Sequence, residues 1–360
     1  IANRALIACA IGDLGFVYHR ICEYHKAEVY ERKHLELCVE LNDRMNESLA
    51  IGNLGNLYYC LSDHQKAEEF TRRSMAIAEE LGQHAWVANC LINLGALYCT
   101  LSDIVQAERC YERALVLGRQ LKDTSYEARV MCGIGNIRQH TADYVAAKQY
   151  HWKDYTLSQS VDDRWGEVRA LCNLGLACML LCEYRQAEAY YMALFQQSRE
   201  IQSGLGEAVG YGSMGELLLT LDYYPAALSY LKTFLSLTHE LGNKSRQARA
   251  LMSLGRLFCN TAHLDEAFNN CVHALGIARS IGEHEEEQRA LCLLARLHML
   301  QRTPLSGFFA ALAALSLSST VKNRLMRATA LTWCASCLAL SPQSVVSVPA
   351  LQRALRGPPA

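Results

Sequence analysis

The sequence predicts an all-α fold, a superhelix of about eight helical hairpins that are each 40 residues long. Two observations predict it. A Leu-Gly pair returns every 40 residues, as Leu14-Gly15, Leu54-Gly55, Leu94-Gly95, Ile134-Gly135, Leu174-Gly175, Met214-Gly215, Leu254-Gly255 and, last, Leu294-Ala295. An alanine keeps the same step through Ala27, Ala67, Ala107, Ala147, Ala187, Ala227 and Ala267. A fixed period of about 20–50 residues marks an array whose units bury their apolar faces against one another.

The first helix of each repeat follows from its apolar stripe. Leu54, Leu57, Tyr58 and Leu61 are spaced i, i+3, i+4, i+7, which is one face of an α-helix. Leu14, Val17, Tyr18 and Ile21 repeat the stripe, as do Leu94, Leu97, Tyr98 and Leu101, and Leu254, Leu257 and Phe258. A polar break follows, as Ser62-Asp63, Ser102-Asp103 or Ala142-Asp143. Asp is a good N-cap because its carboxylate accepts from the free N–H groups of the next helix, and Asp103 with Gln106 fits a capping box. The second helix carries Ala107, Cys110, Tyr111, Ala114, Leu117 and Leu121. It ends at Lys122-Asp123 there, and at Leu81-Gly82 or Leu241-Gly242 elsewhere, where glycine is a helix stop.

The small residues at fixed places imply close helix crossings. A larger side chain would push two axes beyond the usual separation of about 8–10 Å. Glycine inside a helix costs about 0.8–1.0 kcal/mol relative to alanine, so seven glycines at one equivalent position imply a packing gain that outweighs it.

Leu-Gly-x-x-Tyr followed by Ala, Tyr or Phe and Ala-Leu in the second helix resembles the tetratricopeptide repeat. Gly52-Asn53-Leu54-Gly55-Asn56, the run from Ala107 to Leu115 and the run from Leu117 to Asp123 resemble the LGN/Pins cell-polarity adaptors. They are equally similar to the tetratricopeptide repeat protein 28 type, and more distantly to kinesin light chain and rapsyn. The resemblance covers about residues 1–300. It implies a right-handed α-α superhelix whose first helices line the concave surface. The Asp-Gln-Arg triplet of the GoLoco motif, through which LGN/Pins proteins bind Gα, does not occur in the sequence.

Three segments are expected. The tetratricopeptide array spans 1–302, eroded repeat or cap helices span 303–340, and a disordered tail spans 341–360. The apolar stretch 303–317 reads as a second helix by register, since Ala314-Leu315 falls 40 residues after Ala274-Leu275. A ninth first-helix is expected at about 324–340, and from Ser341 onward, with Pro342 and Pro349, the pattern is lost. The chain opens at Ile1, directly in the first repeat, and reads as a window of a longer protein.

Composition narrows the function classes. With 35 Lys and Arg against 36 Asp and Glu the net charge is −1, so no basic excess points to nucleic acid. No apolar run is long enough to span a bilayer, and no signal peptide opens the chain. The 16 cysteines are scattered through helices, several at apolar positions of other repeats, such as Cys110, Cys178 and Cys259. That usage fits buried free thiols in a reducing, cytoplasmic setting.

Several constellations read as structural. Cys22, His25, His34 and Cys38 have zinc-like spacing but straddle a turn and a long stretch of helix, so no metal is expected. Cys334 and Cys337 form a lone CxxC on a helix, and Cys178 and Cys182 read as core neighbours. Gly210, Gly212 and Gly215 approach a phosphate loop but lie inside a helix stripe with no preceding strand. Glu283, Glu285, Glu286 and Glu287 open a helix and suit its positive N-terminal end. Trp86, Trp152, Trp165 and Trp333 share no repeat position and read as core or repeat-edge residues. No catalytic set stands out, and neither an enzyme nor a cofactor is expected.

The concave face is where binding is expected. Its stripe lies about 100° round from the packing stripe. Relative to the Leu of each Leu-Gly pair, its positions are −5, −1, +2 and +6. It carries Asn53, Asn56, Asn89, Asn93, Arg129, Asn136, Arg169, Asn173, Arg249, Arg256, Asn260, Arg289 and Arg296. Asparagine is a poor helix former whose amide both donates and accepts, so it can hold a peptide backbone. Arginine offers a planar fork for carboxylates. The expected function is a non-catalytic protein–protein interaction scaffold that binds an extended, partly acidic peptide in its groove. The alternative is a regulatory or sensor array serving an effector or enzymatic domain outside this sequence.

Overall fold

Seventeen α-helices and no strand make up the described residues of the computed structural model, which are 2–21, 23–61, 63–321 and 324–340. They are α1 (Ala2–Arg20), α2 (Tyr24–Glu40), α3 (Arg44–Cys60), α4 (His64–Glu80), α5 (His84–Thr100) and α6 (Ile104–Leu121). Next come α7 (Thr124–His140), α8 (Tyr144–Ser160), α9 (Arg164–Leu180), α10 (Tyr184–Glu200), α11 (Gly204–Thr220) and α12 (Tyr224–Glu240). The series ends with α13 (Lys244–Asn260), α14 (Leu264–Ile281), α15 (His284–Leu300), α16 (Pro304–Val321) and α17 (Arg324–Leu340). Each helix packs on its neighbours in sequence, so odd and even helices form two layers. The odd helices also touch one another, as α5 on α7, α9 on α11 and α13 on α15, which makes theirs the inner, shorter layer. The proposed disordered tail at 341–360 lies outside the described residues.

The packing stripe is the core. Leu54, Leu57, Leu94, Leu97, Leu174, Leu254 and Leu257 are at most 3 % exposed. Burying such a side chain fully contributes about 1.5–3 kcal/mol. The first repeat differs: Leu14 and Val17 are exposed because no helix precedes α1 in the described residues. In the second-helix stripe Ala107, Tyr111 and Ala114 are buried as expected, whereas Leu121, at the end of α6, is exposed.

In the second and third repeats the tyrosine of Leu-Gly-x-x-Tyr ties the hairpin to the one before. Tyr58 donates to Glu28 Oε1 at 2.6 Å and accepts from Arg32 Nη2 at 2.6 Å. One repeat later Tyr98 does the same with Glu68, at 2.5 Å, and Arg72, at 2.6 Å. In the next repeat Arg138 replaces the tyrosine and reaches Glu108 at 3.0 Å.

The turns repeat at half the sequence period. Residues 42, 82, 102, 122, 142, 162, 182, 202, 222, 242, 262, 282 and 302 all have φ between 53° and 73°, and only three of them are glycine. The amide after the left-handed residue reaches back into the helix, as Asp43 N to Cys38 O at 2.9 Å and Asp143 N to Arg138 O at 2.8 Å. This is a Schellman-type closure. Asp43, Asp63, Asp103, Asp123, Asp143 and Asp163 then cap the following helices.

The array curves until it meets itself. Lys244 Nζ, at the start of α13, lies 3.1 Å from Glu23 Oε1, across 221 residues of sequence. Gly282 faces the end of α3: a β-carbon built there would be 3.7 Å from both Leu61 Cδ2 and Leu61 O. Ile281 belongs to the same buried cluster as Leu57 and Tyr58.

Candidate functional site: an inner channel

The odd helices enclose a cavity of about 820 Å³. Its wall includes Tyr59 of α3, Thr100 of α5, Gln139 and His140 of α7, Met179 of α9, Glu216 of α11, and Arg249 and Arg256 of α13. On α15 it takes Glu285, Glu286, Arg289 and Arg296, and on α17 Trp333. The volume falls within the range of about 300–1,000 Å³ typical of ligand-holding cavities.

The arginines here meet carboxylates of their own chain. Arg249 Nη2 is 3.2 Å from Glu286 Oε1, and Arg289 reaches Glu286 at 2.9 Å and Glu285 at 2.7 Å. Arg256 Nη1 is 2.8 Å from Glu216 Oε2, and Ser253 donates to the other oxygen of the same carboxylate. Burial would pull the Arg249 guanidinium down, but the Glu286 charge more than offsets it and the pKa is raised. Even so, 56 % of the Arg249 side chain is open to water, because it faces the channel. Arg296 differs: it donates to Asn260 Oδ1 at 3.4 Å and meets no carboxylate among the described residues.

The asparagine half of the ladder also forms rungs between repeats. Asn53 donates to Glu31 Oε1 at 3.1 Å and Asn93 to Asn56 Oδ1 at 2.9 Å. Arg129 donates to Asn89 Oδ1, and Asn89 in turn reaches the Tyr126 hydroxyl at 3.4 Å. Arg129 meets no carboxylate within ion-pair distance among the described residues; burial, then the charge of Arg169, lowers its pKa. Asn173 reaches Cys132 Sγ at 3.4 Å. Asn136 is half-exposed and makes no hydrogen bond among the described residues. Gln139 Oε1 is buried in the channel wall with no partner there.

A smaller cavity of about 290 Å³ opens beside α9, α11 and α13. Trp165, Val168, Leu205 and Val209 make it apolar, Arg169, Asn173 and Arg246 also line it, and no carboxylate does. Trp165 is 56 % exposed, so here it is a surface residue and not core. Arg169 is held by the fully buried Asp154 at 2.7 Å. Burial lifts the Asp154 carboxyl above its ordinary pKa, against the opposing pull of the Arg169 charge.

The structure therefore gathers Arg249, Arg256, Arg289 and Arg296 in one cavity and Arg169 and Asn173 in another. Asn53, Asn56, Asn89, Asn93, Arg129, Asn136 and Asn260 line neither. Sequence reasoning did not name Glu216, although it occupies the +2 position of the binding stripe in repeat six. It also gave the acidic run only a helix-dipole role, whereas Glu286 and Glu285 face arginines and Glu287 pairs with Arg279 at 2.7 Å.

Cys22 lies outside the described residues; His25 is exposed, and His34 and Cys38 are buried one turn apart on α2. Cys178 is buried but Cys182 is exposed, so they are not two core neighbours. Cys334 and Cys337 are both buried in α17. Trp86 is a packing residue, donating to Ser74 Oγ at 2.9 Å, while Trp152 is exposed. Among the described residues no helix is long and apolar enough to cross a membrane.

The tetratricopeptide repeat family matches residues 6–80 and 47–120 of the chain. No curated protein matches it. A Rap protein solved in complex with Competence and Sporulation Factor is 12 % identical, covers 92 % of this chain and 98 % of its own, and superposes with a TM-score of 0.58. A signal transduction ATPase with numerous domains from Pyrococcus horikoshii, which carries a tetratricopeptide repeat sensor, is 15 % identical with a TM-score of 0.54. That match covers 91 % of this chain and 50 % of the other. The apo form of RapI is 11 % identical over 92 % of this chain and 98 % of its own, with a TM-score of 0.51. At such identities the likeness is one of fold: an all-α array of helical hairpins.

Proposed function

We propose that the chain is a non-catalytic protein–protein interaction scaffold whose inner channel holds an extended, partly acidic segment of a partner. The observation that carries this reading is a set of unmatched groups on the inner layer. Arg296 and Arg129 meet no carboxylate among the described residues, the half-exposed Asn136 makes no hydrogen bond there, and Gln139 Oε1 is buried without a partner. A buried polar atom without a partner, as Gln139 Oε1 is, costs about 1–3 kcal/mol. A peptide backbone supplies the N–H and C=O groups that an amide accepts from and donates to, whatever the peptide sequence. A carboxylate supplies what a lone guanidinium lacks.

The remaining ladder residues take the same roles at lower gain. Asn53, Asn56, Asn89, Asn93, Asn173 and Asn260 face the backbone after giving up a rung to the next repeat. Arg249, Arg256 and Arg289 keep their internal carboxylates, because leaving the buried Glu286 unpaired would cost about 3–5 kcal/mol, and offer a partner only their remaining N–H groups. The Trp165 cavity, apolar with two arginines and no carboxylate, suits a large apolar side chain next to an acidic one. Peptide arrays graded in Asp and Glu content test the reading. Retention should rise with acidic content and fall with salt. Equal retention of acidic, neutral and basic peptides defeats it.

A further inference from the structure

The place where the array meets itself is built unlike any joint between neighbouring repeats. Neighbours bury whole helix faces, and a repeat array ordinarily couples only neighbours. Here repeats one and two meet repeat seven through two small contacts. One is the Glu23–Lys244 ion pair, whose side chains are 35 % and 42 % exposed. The other is a small apolar patch, where Leu61 lies against Gly282 and Ile281 is buried in the same cluster as Leu57 and Tyr58. Between them and the channel lies a small cavity of about 210 Å³, walled by Tyr59 and Thr100 on one side and Ser245, Glu283 and Glu286 on the other.

We propose that these two contacts form a reversible latch, which closes the array into a ring around the channel and opens to admit a partner segment from the side. An exposed ion pair contributes little and is screened by salt, and a patch of a few apolar side chains is small beside a helix face. Opening there breaks no interface between neighbouring repeats. The joint is therefore the least stable in the ring, and loosely held regions are the ones that open first. A closed ring also limits what can enter. A free chain end can thread the channel, whereas a loop anchored at both ends in a folded partner needs the latch open.

The latch can be read on the full chain with no partner present, so its failure leaves the peptide reading untouched. A carbodiimide joins a carboxylate to an amine only where the two already touch. The Glu23–Lys244 isopeptide should be found by mass spectrometry, with the Lys148–Glu183 pair of neighbouring repeats as the internal reference. Relative to that reference, its yield should drop at least about fivefold in Leu61→Asp, in which both reacting groups remain. It should drop likewise near 1 M salt, where screening acts within about 3 Å. The charge reversals Glu23→Lys and Lys244→Glu should each expand the particle in small-angle X-ray scattering, and the two together should restore its size. Absence of the Glu23–Lys244 product while Lys148–Glu183 forms overturns the proposal. So does a yield that follows the reference through salt and Leu61→Asp, or scattering that neither single reversal changes.

Discussion

A β-carbon on Gly135 would sit 2.5 Å from Cε1 of His151, so the imidazole fills the space that the missing side chain leaves. The same slot recurs through the array with different occupants. Thr71 fills it at Gly55, Tyr111 at Gly95, Tyr191 at Gly175 and Leu231 at Gly215. The repeated glycine is thus a socket for the second helix, and what plugs it varies.

Gly135→Ala should therefore destabilise the chain, because His151 is walled in and must be displaced; overpacking of this kind costs about 1–3 kcal/mol. Gly276 is the contrast, an exposed helical glycine with nothing within 4 Å of a new β-carbon. Gly276→Ala should stabilise by up to about 1 kcal/mol. Thermal unfolding midpoints of the two variants should move in opposite directions, and a rise for Gly135→Ala contradicts the socket.

His151 also makes the fold sensitive to acid. Burial, then the Arg169 charge, lowers its pKa from 6.5 to about 4. Between those values the unfolded chain binds a proton that the folded one refuses. Stability is then full above the unfolded pKa, declines as pH falls, and stops declining below the folded pKa. At about 1.4 kcal/mol per pH unit the loss is about 3 kcal/mol. Denaturant midpoints measured from pH 7.5 down to 4 should show this slope, and His151→Gln should flatten it. An equal slope in the variant assigns the acid sensitivity to other groups.

The left-handed turn positions give a third expectation. Ala142 and Ala262 sit at φ 62° and 61°, where a β-carbon is strained, while Gly82 holds the equivalent place at φ 66°. Ala142→Gly and Ala262→Gly should each stabilise by about 0.5–1 kcal/mol, once the extra freedom of glycine in the unfolded chain is taken off. Gly82→Ala should destabilise by a similar amount, although nothing lies within 4 Å of it. Calorimetric midpoints settle the sign.

The fold was legible because it rests on local periodicity. Leu54, Gly55, Leu57 and Tyr58 announce a helix face and its socket, and Asp63 and Asp103 announce the caps. Of the stripe of asparagines and arginines, Arg249, Arg256, Arg289 and Arg296 line the larger cavity, while Asn53, Asn56, Asn89, Asn93, Arg129, Asn136 and Asn260 line neither. What could not be read was partnership across repeats. Arg256 and Glu216 lie 40 residues apart and meet only because neighbouring inner helices touch. Glu23 and Lys244 meet only because the curvature of several hairpins adds up to a closed turn, a sum that no single repeat encodes. His151 in the Gly135 socket was likewise hidden, since the slot takes Thr, Tyr, His or Leu.

Those internal partnerships decide which arginines report on ligand binding. Arg249→Glu with Arg256→Glu sets new carboxylates against Glu286 and Glu216, so the double reversal should weaken acidic-peptide binding by at least about tenfold, or 1.4 kcal/mol. Part of that loss comes from like-charge repulsion inside the wall, and the unfolding midpoint should fall with it. Arg296→Glu is the cleaner probe because its one partner among the described residues is Asn260, at 3.4 Å. It should cost the same tenfold while the midpoint stays within about 0.5 kcal/mol of the parent, as for an ordinary surface change. Asn136→Ala, which breaks no rung, should weaken binding of acidic and neutral peptides alike, since it acts on backbone. Isothermal titration with one acidic peptide and its Asp→Asn, Glu→Gln counterpart separates the two effects. If Arg296→Glu leaves both affinities unchanged, the ligand does not lie in the channel, and if Asn136→Ala leaves them unchanged as well, it does not lie along the inner helices.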